Sequence, residues 1–468
     1  MFPIIRRTAI ILFGLALLIT LVLTPPAGRR APLPPKERER VTTIRGHQGG
    51  KPRLALDGFT ASGDIPDQGE ADLSRGIGEV LRADLAYEDV FDLMPASQAP
   101  GGQNVGPAGG ESVRPASGER VRAPNGEREP PPDGIVTGRL RRESGQLRVE
   151  IRIRDVRSGQ LAFGREYVGL ENAPRLIAHV AANEIFSALA GIQGLAHSRL
   201  AFVSDRSGSF NEPTGSRRRV KEIFVSDYDG ANEARITTDG DLDLTPSWSP
   251  DRRAIAYTCY RRGYQDIFVT HLEERRQDSP TRGRGKNWLP AWSPDGARLA
   301  FTSNRDGNEG IYVMNADGSG LRRLTTGWAI DTSPAWSPTG TQIAFTSNRT
   351  GSPQIWVMDA DGSNQRALTS ERYCDRPSWS PGPIHELAYV SRTKTGFDIK
   401  VIDPATGSTR QLTFGPENES PAFSPNGRHL AFTSTRGGTQ QIWTMTRTGT
   451  DLHQVTHVGN NSMVSWSR

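Results

Sequence analysis

The chain has 468 residues, which is too long for one ordinary domain, so two or more are expected. Only 35% of the residues are hydrophobic, and the 50 glycines and 33 prolines favour many turns and thin strands over large helical cores. The net charge of +5 arises from 57 basic and 52 acidic residues that are intermixed. Because the basic runs lie in Gly/Ser/Pro-rich loops, nucleic-acid binding is not expected.

The N-terminus has the pattern of an export signal. Arg6 and Arg7 precede an apolar run over residues 9–23, whose length is typical of a signal-peptide core and short for a membrane span. Because no clear cleavage site follows, residues 1–27 are either a signal peptide or an N-terminal membrane anchor. Both interpretations predict export of the rest of the chain, with membrane contact only through an uncleaved leader.

The sequence has two cysteines, Cys259 and Cys374. Export permits a disulfide, but the two residues fall in distant repeats, so free thiols are expected. No metal site is expected, because the histidines are scattered and the Asp-Gly pairs lack the remaining ligand positions of a calcium loop.

Residues 41–191 have the pattern of a small α+β domain. An alternating strand over 53–59 is followed by a helix, and three consecutive strands lead to a second amphipathic helix that ends at Gly191. Residues 95–134 interrupt the domain and are rich in Gly, Pro, Ser and charge. Because this insertion cannot bury a core, we expect it to be disordered.

An aromatic marker, Pro-x-[Trp/Phe]-Ser-Pro, recurs through residues 198–468. Its spacing of about 44 residues, with four short strands per unit, is typical of a β-propeller. We expect the aromatic ring to fill the space between neighbouring sheets and the proline to begin the innermost strand, where no donor is needed. The aromatic positions, including a final partial copy, are Trp248, Trp292, Trp336, Trp379, Phe423 and Trp466.

The two ends of this region predict how the ring closes. The sequence that begins at Ser198 resembles a second strand with no marker before it, and the partial copy at Trp466 is a first strand with no further unit after it. We therefore expect the partial copy to supply the inner strand of the first blade. The predicted fold class is an all-β six-bladed propeller preceded by a small α+β domain.

From about Val41 onward the chain resembles the TolB family, the periplasmic propeller proteins of the Tol–Pal system in Gram-negative envelopes. The resemblance rests on the six repeats, on VSDYDG at 225–230, and on GIGEVLRADL, IVTGRL and LIAHVAANEIFSALAGIQG in the preceding domain. It implies a periplasmic protein that is not an enzyme and has no cofactor, and we expect a monomer. The long insertion at 95–134 and the missing cleavage site depart from the family pattern.

The resemblance also implies two partners and a role in outer-membrane integrity and cell division. A Pal-like peptidoglycan-associated lipoprotein would bind one face of the propeller, and a TolA-like inner-membrane protein would bind the N-terminal segment, here residues 41–50. The strand-prone start of that segment would add to the edge of a partner's sheet. The alternative is a simple tether between leader and domain. The residues of this start are Val41, Thr42, Thr43 and Ile44.

The loops that enter the innermost strands are expected to line the mouth of the central channel. Five places before each marker stands Asp or Asn, except at Cys374, where Asp375 follows. These side chains form either a polar collar at the mouth or caps for their own loops. Nearby loop residues vary in chemistry and better suit partner recognition, with Trp288 as the candidate anchor. The predicted partner-binding residues are Asp243, Lys286, Asn287, Trp288, Asp331, Thr332, Asp375, Arg376, Asn418, Glu419 and Asn461.

The alternative function is an exported propeller that binds or hydrolyses carbohydrate or peptide. Asp243 and Asp331 would then supply acidic groups at the channel. The absence of a Gly-x-Ser-x-Gly motif argues against a propeller-capped peptidase. Co-purification of a Pal-like lipoprotein would favour the scaffold, and turnover of a glycan or an ester would favour the enzyme.

Overall fold

A computed structural model describes residues 44, 46, 50–61, 68–94, 131–211, 217–281 and 285–467, which belong to one compact unit, Glu39–Arg468. The predicted leader at 1–27 and residues 95–130 of the predicted insertion lie outside this description. No described helix combines the length and the apolar character that a membrane span needs.

The first part of the described chain is a five-stranded sheet packed against two helices. Its elements are β1 Arg53–Ala61, α1 Gln68–Tyr87, β2 Asp92–Met94, β3 Gly134–Glu143, β4 Gln146–Asp155, β5 Leu161–Leu170 and α2 Pro174–Ile185. The strand order is β2-β1-β3-β4-β5, with β1 parallel to both neighbours and the other pairs antiparallel. Apolar residues alternate along β4 because only one face of the sheet meets the core, and Val149 and Ile151 are fully buried. The predicted α+β domain is confirmed.

The helical segment that begins with α2 ends where the sequence predicts, at Gly191. It continues as a short π-helical stretch, Phe186–Ala190, and stops at Gly191, whose φ of 65° lies in the left-handed region. Its buried side chains, Ile177 and Ile185 among them, share one core with Leu81 of α1. The helices therefore close the small domain from one side of the sheet, and the chain then leaves for the propeller.

The second part consists of six four-stranded antiparallel sheets, the blades of a propeller, as predicted. Blade 1 contains β6 Arg199–Ser204, β9 Glu222–Asp227, β10 Ala234–Arg235 and β31 Asn461–Trp466, and a separate hairpin contains β7 Ser209–Asn211 and β8 Arg217–Arg219. Blades 2 and 3 contain β11 Asp243–Trp248, β12 Ala254–Cys259, β13 Asp266–His271, β14 Arg276–Asp278, β15 Asn287–Trp292, β16 Arg298–Ser303, β17 Gly310–Asn315 and β18 Arg322–Arg323. Blade 4 contains β19 Asp331–Trp336, β20 Gln342–Ser347, β21 Gln354–Asp359 and β22 Arg366–Ala367. Blades 5 and 6 contain β23 Cys374–Trp379, β24 Leu387–Arg392, β25 Phe397–Ile402, β26 Thr409–Gln411, β27 Asn418–Phe423, β28 His429–Ser434, β29 Gln441–Thr446 and β30 His453–Gln454.

The innermost strand of every blade contains a β-bulge. In β15 the register shifts between Trp288 and Ala291, so Leu289 and Pro290 leave the ladder. The prediction that the proline begins the strand is therefore wrong, because β15 starts three residues earlier, at Asn287. A bulge tolerates proline, since the missing N–H would have had no partner. The bulged residues have φ between 52° and 56° and are Thr245, Leu289, Ser333, Arg376, Ser420 and Met463.

The marker aromatic rings pack between blades, as predicted. Trp336 at the end of β19 lies in a cluster with Ile343 of its own blade and with Ile311 and Val313 of the preceding blade. Equivalent clusters contain Trp248, Trp292, Trp379 and Phe423. These contacts bury large apolar areas at each blade boundary and hold neighbouring blades together.

The ring closes between the two ends of the propeller sequence. Strand β31 pairs antiparallel with β6, from Asn461 opposite Ser204 to Trp466 opposite Leu200. The backbone N–H of Arg199 donates to Ser467 Oγ at 2.8 Å. The predicted closure by the C-terminal strand is confirmed, and it pairs a strand edge that would otherwise be open.

The small domain rests on one face of the propeller, which we call the domain face. This face consists of the turns that join the first to the second strand and the third to the fourth strand of each blade. On it, Tyr228 donates to Asp84 Oδ1 at 2.7 Å, and Asp84 Oδ2 lies 2.8 Å from His179 Nδ1. Burial is the main cause that raises the pKa of Asp84. The opposite face, which we call the open face, consists of the loops that enter the innermost strands and the loops between second and third strands.

Glu88 is a second buried acid at the same contact. It is 2% exposed and accepts hydrogen bonds from the Leu195 backbone at 3.1 Å and from Asn426 Nδ2 at 2.7 Å. Arg428 Nε lies 3.3 Å from its other oxygen. Burial raises the pKa of Glu88 to about 7, although Arg428 opposes the shift.

This raised pKa predicts how stability depends on pH. Because the folded pKa lies above the unfolded one, the contribution of Glu88 is fully present below pH 4.5 and is lost as the pH rises through about 7. An E88Q variant, which keeps the accepting oxygen, should therefore gain about 2 kcal/mol relative to the native protein between pH 5 and pH 7. Urea unfolding of both proteins across this range checks it. Parallel stability profiles would contradict the prediction.

Candidate partner-binding face of the propeller

The residues that begin the innermost strands are buried. Their exposures are 0 to 2%, so they do not form the solvent-facing polar collar that was one of the two expectations. The sequence pattern could not separate a collar from a cap. Burial argues against the collar, and own-loop caps are seen at Asn418 and Asn461, which donate to the carbonyl oxygens of Pro416 at 2.6 Å and Val458 at 3.0 Å. The six residues are Asp243, Asn287, Asp331, Cys374, Asn418 and Asn461.

Most of these residues bind an arginine of the same blade. Arg305 donates to Asn287 Oδ1 at 2.7 Å, and Asn287 Nδ2 donates to Asp266 of the preceding blade at 3.0 Å. Asp331 accepts two bonds of 3.0 Å from Arg349. Each Asx side chain thus ties the entrance of its strand to the rest of the blade. Asn418 and Asn461 are held in the same way, by Arg436 at 2.9 Å and Arg206 at 3.1 Å.

The arginines are fixed by aromatic rings as well. Arg349 Cζ lies 4.5 Å from the ring centroid of Trp356 and 5.4 Å from that of Phe345. Similar stacks occur at Arg206, Arg305 and Arg436. Cation–π contacts of this kind favour the charged guanidinium in a partly buried position. The arrangement is structural and leaves Asp331 no free oxygen for a substrate.

Asp243 departs from this pattern. It is 0% exposed, and neither of its carboxylate oxygens makes a hydrogen bond of good geometry among the described residues. Burial raises its pKa to about 7, although the nearby Cys259 thiol and Thr237 hydroxyl, as hydrogen-bond donors, oppose the shift. Arg261, which stands where the other blades place the binding arginine, donates to Asp239 instead. An acid this deeply buried is not positioned to meet a substrate at the channel mouth.

The other predicted partner-binding residues have accessible surface. Lys286 is exposed, and Trp288, Thr332, Asp375, Arg376 and Glu419 are half-buried. Asp375 is engaged with its neighbours, because Ser333 and Thr346 of the preceding blade donate to it at 3.0 and 2.8 Å. Arg376 reaches the next blade and donates to Ser420 at 2.8 Å. Both residues therefore link blades around the channel.

The open face carries exposed aromatic and aliphatic side chains that the sequence reasoning missed. Trp328 is 79% exposed and Phe414 is 75% exposed, both in loops that enter innermost strands. Each lies beside a glycine in a loop segment without strand alternation. Trp288, expected in such a loop, lies instead in β15 opposite Thr302. Single exposed side chains are common on protein surfaces, but Trp328 and Phe414 are the most exposed large apolar residues of the described chain. The same face also presents Tyr264, Ile330 and Val458.

The predicted N-terminal partner segment is described only at its end. Val41, Thr42 and Thr43 lie outside the described residues. Ile44 is 2% exposed and belongs to the core of the small domain, next to Gly134 of β3. Ile44 is therefore held by its own domain.

The two cysteines are buried free thiols, Cys259 at the end of β12 and Cys374 at the start of β23. Burial is the main cause that raises the pKa of each thiol. Neither is therefore poised as a nucleophile.

Comparison with known proteins identifies the family. The sequence model of the family described as the TolB beta propeller domain matches residues 186–468 of this chain. The Tol-Pal system protein TolB of Desulfosudis oleivorans is 37% identical over 129 residues, which are 28% of this chain and only 27% of that relative. The crystal structure of TolB from Acinetobacter baumannii has the same fold, with a TM-score of 0.71, 23% identity, and coverage of 92% of this chain and 98% of that one. The chain belongs to the TolB β-propeller family.

Proposed function

We propose that this chain is a non-enzymatic periplasmic scaffold of a Tol–Pal-type system, which holds a Pal-like lipoprotein on its open face. The similarity to proteins named for the Tol–Pal system supports the class of function. The observation that carries the assignment of the face is the exposure of Trp328 and Phe414 on the side opposite the small domain. In this role it would help to maintain the outer membrane and assist cell division.

The open face suits a protein partner better than a small substrate. Its exposed apolar side chains are spread over several blades, whereas Asp243, Asp331 and Asp375 near the channel are buried or paired. Large aromatic residues at the centre of a contact contribute most of the binding free energy of typical interfaces. We therefore place the partner across several entrance loops, with Trp328, Phe414 and the half-buried Trp288 as contacts.

A capture experiment tests this face. We expect a W328A/F414A variant to bind a purified Pal-like lipoprotein at least tenfold more weakly than the native chain, a loss of about 1.4 kcal/mol or more. The matched control is L321A/L452A, which removes two side chains of 43% exposure each from the turns of the domain face. Equal weakening by both variants, or none by the first, would rule out the open face.

The N-terminal segment is proposed as the site of a TolA-like protein. Residues 41–43 would add as a strand to the partner's sheet edge, while Ile44 stays in the core of the small domain. Deletion of residues 41–43 should abolish binding of that partner and leave capture of the lipoprotein unchanged. Loss of both activities together would instead indicate damage to the small domain.

A further inference from the structure

A cluster of metal-ligating side chains lies at the boundary between blades 1 and 2. Asp239 and Asp241 belong to the loop that enters β11, and Cys259 ends β12. One possible ligand atom of each lies within 4.8 Å of the others. Asp239 is exposed and Cys259 is buried, so the cluster runs from solvent into the blade.

Asp243 is a second, independent observation that points to a cation at this cluster. It is the direct cross-strand partner of Cys259 in the β11–β12 ladder, so the two side chains lie on the same face of the sheet. It is 0% exposed, and neither oxygen makes a hydrogen bond of good geometry among the described residues, although the Cys259 thiol and the Thr237 hydroxyl lie near enough to lower its pKa. A buried carboxylate without a partner is costly, and a bound cation would remove that cost.

The other blade boundaries lack these features. Ser303, Ser347 and Ser434 take the place of Cys259, and Ser434 donates to Asn418 at 2.8 Å. The positions of Asp239 and Asp241 are occupied elsewhere by Gly283 and Gly285, Gly327 and Ala329, Ser370 and Arg372, Phe414 and Pro416, and His457 and Gly459. The acids and the thiol therefore occur together at one boundary, which the demands of the repeat do not explain.

We propose that Asp239, Asp241 and Cys259 form a zinc site, and that Asp243, opposite Cys259 in the ladder, moves toward the ion as the fourth ligand. One thiolate with carboxylates suits Zn²⁺, which accepts sulfur and oxygen ligands in tetrahedral geometry, whereas Ca²⁺ takes oxygen ligands. The proton of the Cys259 thiol leaves to solvent when the ion binds, because the thiolate is the ligand. This site differs from the sequence expectation that the chain holds no metal.

Arg261 is the group that the ion has to displace. Its guanidinium donates to Asp239, lies 3.4 Å from Asp241 through Nε, and stacks over Phe268 with Cζ 4.5 Å from the ring centroid. Its side chain is 35% exposed, so it can turn toward solvent when the ion takes over the carboxylates. The arginine neutralises the outer acids but not Asp243, and Zn²⁺ would neutralise both.

Metal titration of the reduced full chain tests the proposal. We expect Zn²⁺ to raise the melting temperature of the native protein, and Co²⁺ to give a thiolate-to-metal charge-transfer band in the near ultraviolet. In C259S the band should vanish and the Zn²⁺ affinity should fall at least tenfold, and D243N should lose at least tenfold in affinity. C374S, which alters the other buried cysteine, should behave as the native chain.

Three outcomes would overturn the zinc site. The first is a charge-transfer band that persists in C259S, and the second is a response to Ca²⁺ that equals the response to Zn²⁺. The third is a Zn²⁺ response equally strong in D243N. Because D243N is expected to be at least as stable as the native chain without metal, misfolding does not account for a loss of binding there.

Discussion

A D331A variant is expected to lose about 3 kcal/mol of unfolding free energy, because removal of the carboxylate leaves the charge of the Arg349 guanidinium uncompensated. Asp331 is 2% exposed, and both of its oxygens accept a hydrogen bond from Arg349. Arg349 remains held over Trp356 and also donates to Gln365 at 2.6 Å, so it cannot readily swing into solvent. Urea unfolding at neutral pH measures the difference.

The matched control for this experiment is D317A. Asp317 is an exposed turn residue of blade 3, and its Oδ1 accepts a hydrogen bond of 2.9 Å from the backbone N–H of Ser319. Its replacement should cost far less stability than that of Asp331, because the side chain is fully in solvent. If D331A were as stable as D317A, the pair with Arg349 would not stabilise the blade. Charge reversal at Asp331 would for the same reason disturb folding, and it is not a clean test of partner binding.

At the equivalent position of blade 2 we expect the opposite sign. In the presence of a chelator at pH 8, D243N should be more stable than the native chain by about 3 kcal/mol, because an unpaired buried charge is removed. Asn already stands at this position in Asn287, Asn418 and Asn461. Glu222 of blade 1 is buried with one oxygen lacking a partner, and it can accept a bond from the new amide, as Asp266 does from Asn287.

The advantage of D243N should depend on pH. Burial raises the pKa of Asp243 to about 7 in the folded chain, so its contribution to stability is present below pH 4 and is lost as the pH rises through 7. The gain of the variant should therefore shrink toward pH 4. The reciprocal N287D places a carboxylate beside Asp266 and should destabilise. A D243N variant less stable than the native chain at pH 8 would contradict this account.

The repeat made the propeller predictable. The period of the marker, the packing role of its aromatic ring and the closure by β31 all follow from a local pattern that recurs. The bulge was not predicted, because Pro290 suits both the start of a strand and a bulge, and only the register separates them. Sequence patterns therefore placed the strands but not their irregular residues.

The candidate site was harder to predict, because burial decides the role of a polar residue. Asn287, Asp331 and Asn418 are polar loop-edge residues in the sequence, yet each meets an arginine 18 residues further along the chain. That pairing is visible only when the second strand is folded back against the first. Trp328 and Phe414 were not predicted, because the repeat pattern marks the residues at the start of each innermost strand, whereas these two lie three and four positions before β19 and β27.

The closure of the ring also constrains the order in which the protein folds. Arg199 and Ser467, which meet in blade 1, are 268 positions apart. The entropy cost of bringing two residues together grows with the length of chain between them, so we expect contacts this distant in sequence to form late in folding. The contact between the small domain and the propeller uses Asn426 and Arg428 of blade 6, which adjoins blade 1. We therefore expect this contact to form late as well. Until the ring closes, the surface of the small domain that contacts the propeller stays exposed. The chain is then most sensitive to proteases and to aggregation.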